Sequence, residues 1–269
     1  MPEPDLAQVV AAVTAAVGES KRYRHVAPSL VSRLAAEELP KARNAADAEK
    51  RTKRRLHQIF GAYATPVPYD KLITRLDAIQ GDAAVFKKVC AQILTQHAST
   101  AERINDLEAG FYEQIFEVTG KPSRVLDLAC GFNPLTIPWM GLNPRTFYTA
   151  ADIDAEMVRF LDRFLALAPV HGEARLIDLV ENVPATAADV AFVFKTLPCL
   201  RHQTDDLALI LAKIRAPWLV VSFPTRSLGN RAKGMTETYR AMFAELAEGQ
   251  PWQPREILFP SELVYVIKK

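Results

Sequence analysis

Two aspartates, each closing a short β-rich run, are spaced to hold a nucleotide-like ligand. The run before them, Arg124-Val-Leu-Asp-Leu-Ala-Cys-Gly-Phe-Asn-Pro-Leu135, passes from an apolar stretch into a turn of small residues and then to Pro134, which opens a short helix. Ala129 and Gly131 allow backbone to come close to a ligand there. About twenty residues on, the usual offset for an acid that takes a ribose diol, stands Asp152 in Phe147-Tyr-Thr-Ala-Ala-Asp152-Ile-Asp154. Asp178 closes Ala174-Arg-Leu-Ile-Asp178, with Leu179 next, and Asp189-Val-Ala-Phe-Val-Phe-Lys195 is another such run. In a doubly wound sheet ligands sit beyond the carboxyl ends of the strands, so Asp152 and Asp178 fall on one ligand edge. Either acid alone reads as a solvated strand end; the ordered set favours a site.

Only one of the three glycines of a dinucleotide fingerprint is present, so the turn is not built for a pyrophosphate. What remains matches the degenerate turn of enzymes that bind S-adenosylmethionine (SAM). In that reading Asp152 can accept from both ribose hydroxyls, Asp178 can accept from the adenine amino group, and Leu179 supplies an apolar wall or a backbone amide.

The elements that must position these residues alternate as strand and helix from about residue 119, which argues for right-handed βαβ units and a parallel sheet. Asp154 can cap a helix carrying Met157, Leu161, Phe164, Leu165 and Ala168 on its sheet-facing side. A helix is expected over 204–214, a fifth strand over 218–223 and another helix over 235–246. Residues 255–259 and 263–268, joined by only Pro260-Ser-Glu, make an antiparallel hairpin. A parallel sheet finished in this way is the class I SAM-dependent methyltransferase fold, an α/β Rossmann-like seven-stranded sheet, here with an all-helical amino-terminal extension. The expected division is 1–118, helical, and 119–269, cofactor-binding. Helical spacing is read behind Asp5 and over 29–39, 45–60, 69–79 and 82–94. Ser99 with Glu102 forms a capping box for a helix bearing Ile104, Leu107, Phe111 and Ile115.

The chain has 269 residues, 49% of them hydrophobic, enough for one large domain and a smaller one. Its net charge of +2 points to no partner, but the charge is unevenly placed. Eleven Lys and Arg between Lys21 and Arg55 face only Glu37, Glu38, Asp47 and Glu49. Cys90, Cys130 and Cys199 are scattered without metal-ligand spacing and read as reduced thiols. The apolar stretch 9–17 is too short and too acidic in its flank for a signal peptide or a membrane span. A cytoplasmic monomer with no membrane partner and no metal is expected.

Four segments carry a resemblance: Leu126-Asp-Leu-Ala-Cys-Gly-Phe-Asn-Pro-Leu135, His97-Ala-Ser-Thr-Ala-Glu-Arg103, Phe194-Lys-Thr-Leu-Pro198 and Ser222-Phe-Pro-Thr-Arg-Ser-Leu-Gly229. Together they resemble the aminoglycoside-resistance ribosomal RNA methyltransferases, over nearly the whole chain from about Lys21. The resemblance implies methyl transfer from SAM to N7 of a guanine in the decoding site of 16S rRNA, with the assembled 30S subunit as substrate. It also implies a cofactor pocket made by Phe60, the segment Ala98, Ser99, Thr100, Ala101, Glu102 and Arg103, and Ala129, Gly131, Asp152, Asp178, Leu179, Phe194 and Gln203. Arg103 suits the methionine carboxylate. Where relatives often carry an acid after the Leu-Pro-x-Leu turn, this chain has Arg201.

N7 of guanine keeps a lone pair at neutral pH, so no general base and no covalent intermediate is needed, and no catalytic residue is assigned. The candidate clamp on the RNA is Phe223, stacking on the base, with Arg226, Arg231 and Lys233 on phosphates; a solvated loop is the bland alternative. Lys50, Arg51, Lys53, Arg54 and Arg55 are candidate docking residues, against the reading of a simple wet helix face. A methyltransferase for a small molecule or for another nucleic acid, a non-catalytic RNA-binding protein and, least favoured, a nicotinamide dehydrogenase are the competing readings.

Overall fold

The computed structural model describes residues 5–60, 67–79, 81–226 and 234–269, the side chains of residues 60, 98 and 99 aside. The amino-terminal helices begin where short acids can satisfy free backbone N–H groups. Asp5 accepts from Ala7 N ahead of α1 (Leu6–Gly18), and α2 (Pro28–Glu38) starts on a proline. α3 (Ala45–Phe60) follows, then α4 (Tyr69–Asp77) and α5 (Ala83–Leu94), the last capped by Asp82 through Ala84 N and Val85 N.

The helix expected behind Ser99 is broken into three pieces, α6 (Ala98–Ala101), α7 (Ile104–Glu108) and α8 (Phe111–Thr119). Gly110, left-handed at φ 89°, separates the last two. His97 occupies the cap position of α6, and Ser99 lies inside that helix. The capping-box pattern was present, but the chain turns at Arg103, whose side chain is drawn inward.

The carboxyl-terminal part has the expected alternation. Its elements are β1 (Arg124–Leu128), α9 (Ile137–Met140), β2 (Phe147–Asp152), α10 (Ala155–Leu167), β3 (His171–Leu176), β4 (Val190–Phe194), α11 (Leu197–Arg201), α12 (Leu207–Lys213), β5 (Trp218–Pro224), α13 (Met235–Ala247), β6 (Gln253–Leu258) and β7 (Glu262–Lys268). The sheet order is β3-β2-β1-β4-β5-β7-β6. The first five strands are parallel, and β7 enters antiparallel between β5 and β6. β4 is buried along its whole length, as its unbroken apolar run requires of a central strand. Asp154 caps α10 through Glu156 N and Met157 N. The helix expected over 204–214 is shorter, at Leu207–Lys213.

Hydrophobic packing does not change at residue 118. Leu72, Phe86, Ile93, Phe111 and Ile115 share one core with Val125, Phe160 and Val264 on one face of the sheet. The other face buries Leu126, Leu219, Phe243 and Ile267. A third cluster, including Val17, Leu30, Leu34 and Leu56, belongs to α1–α3. That three-helix unit is clipped to the sheet just after β2: Ala27 N donates to Ile153 O and Ala155 N to His25 O, each at 2.7 Å.

Candidate active site

The turn after β1 holds two consecutive-but-one residues in left-handed backbone, Ala129 at φ 48° and Gly131 at φ 50°. Such a conformation is uncommon for a residue with a Cβ and concentrates at functional sites. It turns Gly131 N toward Asp152 Oδ2, which accepts from it at 2.9 Å, while Oδ1 accepts from Ile153 N and Asp154 N. Burial raises the Asp152 carboxyl above its ordinary pKa, and these hydrogen bonds oppose that rise. A carboxylate has about four lone-pair positions, so Asp152 retains capacity for a ligand hydroxyl.

A half-open cavity lies against this turn, lined by Thr100, Arg103, Ala129, Gly131, Asp152, Asp178, Leu179, Phe194 and Gln203 among the residues expected from sequence. Ala101 and Glu102 do not line it; Glu102 instead reaches Lys195 Nζ at 3.4 Å. Phe60, Ala98 and Ser99 lie outside the described side chains.

Arg103 is only 1% exposed, far from a solvated helix arginine. Its Nε and Nη2 donate to the two oxygens of Glu262, Nη1 donates to Asn133 Oδ1, and its guanidinium carbon stands 4.5 Å above the Phe194 ring. Of five N–H groups, three are used, leaving one on each Nη for a carboxylate. Lys195 is a functional candidate that the sequence reading passed over. It follows β4 at φ 56°, is 7% exposed, lines the cavity and sits 3.2 Å from Glu262 Oε1. Its signal was its place in the Phe194-Lys-Thr-Leu-Pro segment.

Asp178 is also committed. Its Oδ1 accepts from Val180 N, and its Oδ2 accepts from both Nε and Nη2 of Arg33 at 3.1 and 3.0 Å. Arg33, counted in the basic amino-terminal run, thus faces inward. Nη2 also donates to Gln203 Oε1 at 2.8 Å. Leu30 of α2 and Ile59 of α3 add apolar wall, so the amino-terminal helices help to enclose the cavity. Burial lifts the Cys130 thiol well above the ordinary range, which keeps it protonated and poorly nucleophilic.

Phe223 corrects an expectation. It is fully buried under the second core and stacked on Tyr239 at 5.0 Å, so it is not available to stack on a base. As an inward position of the buried strand β5 it packs like its neighbours. Arg226 is exposed two residues beyond β5, and Arg231 and Lys233 lie outside the described residues. On α3 the basic residues divide. Lys50 and Arg54 are exposed, whereas Arg51 and Arg55 pair with the buried Glu38, and Lys53 pairs with Glu49. Arg201, in place of an acid, pairs with Glu245 on α13. Among the described residues no helix is long and apolar enough to cross a membrane.

The cavity fits SAM: a turn that admits backbone approach, a carboxylate at the end of each of two neighbouring strand segments, apolar walls between them, and a guanidinium in the lining with two N–H groups not otherwise used. Comparison with known proteins agrees. The chain is 40% identical over 274 residues to a 16S rRNA (guanine(1405)-N(7))-methyltransferase of Micromonospora echinospora, covering 100% of this chain and 98% of that one. It is 42% identical over 269 residues to the enzyme of the same name from Frankia casuarinae, covering 97% and 94%. The crystal structure of the 16S rRNA methyltransferase RmtF in complex with S-adenosyl-L-homocysteine superposes with a TM-score of 0.80 at 32% identity, covering 97% of this chain and 98% of that one. The FmrO ribosomal RNA methyltransferase model matches residues 19–266, and the chain belongs to that family of SAM-dependent methyltransferases.

Proposed function

We propose that this protein methylates N7 of guanine 1405 of 16S rRNA within the 30S subunit, the reaction named for its relatives, and so confers resistance to gentamicin- and kanamycin-type aminoglycosides. The observation that carries the reading is the single cavity shared by Gly131, Asp152, Asp178 and Arg103 in a chain similar over its full length to enzymes of that name.

When bound, SAM supplies an electrophilic methyl group on a sulfonium sulfur. The chain's residues hold the donor in place: Asp152 accepts from a ribose hydroxyl, Asp178 from the adenine amino group, Leu179 and Phe194 wall the pocket, and Arg103 takes the methionine carboxylate. The N7 lone pair forms the new N–C bond as the S–C bond breaks, and no proton moves, so the site needs no base. Rate enhancement comes from alignment and from exclusion of water. The buried, protonated Cys130 is consistent with a reaction that uses no thiolate.

N7 lies in the major groove, which in A-form RNA is too deep and narrow for side chains. The target guanine is therefore turned out of its stack toward the cavity. Arg226, Arg231 and Lys233 hold flanking phosphates, and exposed Lys50 and Arg54 dock the subunit. Residues 1–118 carry that docking surface and lend Leu30, Ile59, Thr100 and Arg103 to the donor cavity, and 119–269 supply the rest of the transfer site, in a cytoplasmic monomer. The test is primer extension on 30S particles incubated with protein and SAM, after chemical cleavage at 7-methylguanine. A stop at position 1405 is expected; methyl incorporation elsewhere, or none, overturns the reading.

A further inference from the structure

An arginine of the amino-terminal unit is turned away from solvent and used inside the cavity. The side chain of Arg33 on α2 is 13% exposed and that of Asp178 is 4% exposed. Nε and Nη2 of Arg33 both donate to Asp178 Oδ2, Nη2 also donates to Gln203 Oε1, and Nη1 donates to Glu37 Oε1. Gln203 Nε2 in turn donates to Cys199 O, and Val180 N donates to Asp178 Oδ1, so both partners are fixed in rotation. One turn earlier on the same helix, Leu30 lines the cavity beside them. The backbone clip between residues 25–27 and 153–155 holds the start of α2 against the segment that follows Asp152.

A carboxylate oriented by a planar guanidinium fork presents acceptors and no donor to whatever lies next to it. A carboxylate held against the 6-position welcomes a purine bearing a 6-amino group and repels one bearing a 6-oxo group, whose oxygen would face the carboxylate oxygen with no proton between them. We propose that Arg33 is a positioning residue that locks Asp178, with Gln203 held beside it, as the reader of the purine 6-position, so that the amino-terminal helices set the preference for a 6-amino over a 6-oxo donor. This deepens the proposed function and rests on the cavity being the SAM site.

The test is calorimetric titration of the full chain with S-adenosylhomocysteine and with S-inosylhomocysteine, which carries a 6-oxo group and an N1–H in place of the 6-amino group and the bare N1. The wild-type chain should prefer the adenosyl ligand by about tenfold or more, the size of one well-placed hydrogen bond. Arg33→Met should bring that ratio to within about threefold of unity. Arg33→Lys, which keeps the charge but loses the fork, should recover part of it. A purely structural arginine would weaken both ligands alike, so an Arg33→Met variant with the wild-type ratio overturns the proposal, whatever its absolute affinities. If Arg33→Met does not fold, Arg33→Gln is read by the same ratio: collapse supports the proposal and an unchanged ratio sinks it. A wild-type chain that binds both ligands equally defeats the inference and leaves the donor site standing. One that binds neither removes the proposed function itself.

Discussion

Arg103 and Glu262 stand 159 residues apart in sequence, yet their side chains, 2% and 0% exposed, form a doubly hydrogen-bonded ion pair under the candidate cofactor cavity. Glu262 is the first residue of β7, the antiparallel strand inserted between β5 and β6. The terminal hairpin therefore does more than complete the sheet. It delivers the counter-charge for Arg103 and, at 3.2 Å, for Lys195. Removing one member of a buried pair leaves the other charge desolvated and uncompensated.

Glu262→Gln should accordingly lower stability by about 3–5 kcal/mol at neutral pH, measured by urea denaturation. The acid side gives a second check. Burial alone would raise the Glu262 carboxyl, but Arg103 and Lys195 outweigh it and hold it at about 2, below its ordinary 4.5. A depressed acid contributes stability above its unfolded value and loses it as pH falls toward its folded value. The wild-type chain should lose this contribution as pH falls from about 4.5 toward about 2, while the Gln variant lacks that dependence. Parallel acid profiles for the two proteins would place the pair's energy elsewhere.

The opposite sign is expected at Asp127, in the middle of β1. Burial pushes this carboxyl up to about 7, against hydrogen bonds that Tyr148 and Asn133 donate to Oδ2. The folded state then holds the proton to higher pH than the unfolded chain, and stability falls as pH rises from about 4 to about 7. Asp127→Asn keeps the shape and removes the charge, so it should gain on wild type across that window. Melting temperatures at steps between pH 4 and pH 8 decide it; a constant difference would mean that Asp127 does not titrate there.

Much of this molecule was legible in its sequence, for identifiable reasons. Asp5 and Asp154 were readable at helix starts because a short acid before an apolar stripe has local consequences. Val190–Phe194 was readable as a strand because an unbroken apolar run must be covered on both faces. Gly131, Asp152 and Asp178 were legible as one edge because parallel topology fixes where strand ends lie. What failed was direction. Nothing local distinguishes Arg33, bonded to Asp178, from Arg54 in solvent, since both sit in a basic helical run. Ser99 carried the capping pattern, but three short helices replaced the one it was to start, with Arg103 at the first break bonded to a strand far away in sequence and the left-handed Gly110 at the second.

Phe223 tests the limits of motif reading. It stands beside Arg226 in a segment expected to touch RNA, yet it is fully buried, against Tyr239 and edge-on to Tyr265. Truncating such a ring removes its packing and leaves a cavity. Phe223→Ala should cost about 3–5 kcal/mol of stability by urea denaturation. A variant as stable as wild type but inactive on 30S would instead restore the stacking role.

The division of charge on α3 yields the last prediction. Glu38, 5% exposed, is approached by Lys41, Arg51 and Arg55, so the last two stabilise the helical unit itself. Lys50 and Arg54 have solvent-exposed positions on the same helix. Neutralised phosphates release counterions, and each contact adds about −0.9 to the slope of log affinity against log salt. Lys50→Glu with Arg54→Glu should therefore weaken 30S association, flatten that slope by about 2, and shift the melting temperature little. Arg51→Ala should do the reverse, costing about 1 kcal/mol of stability through the half-exposed pair with Glu38 and leaving the slope nearly unchanged. Sedimentation of protein with 30S particles across a salt series reads both arms. If the double variant keeps the wild-type slope, this face of α3 does not meet rRNA, and docking must be sought on other basic surfaces of the amino-terminal unit.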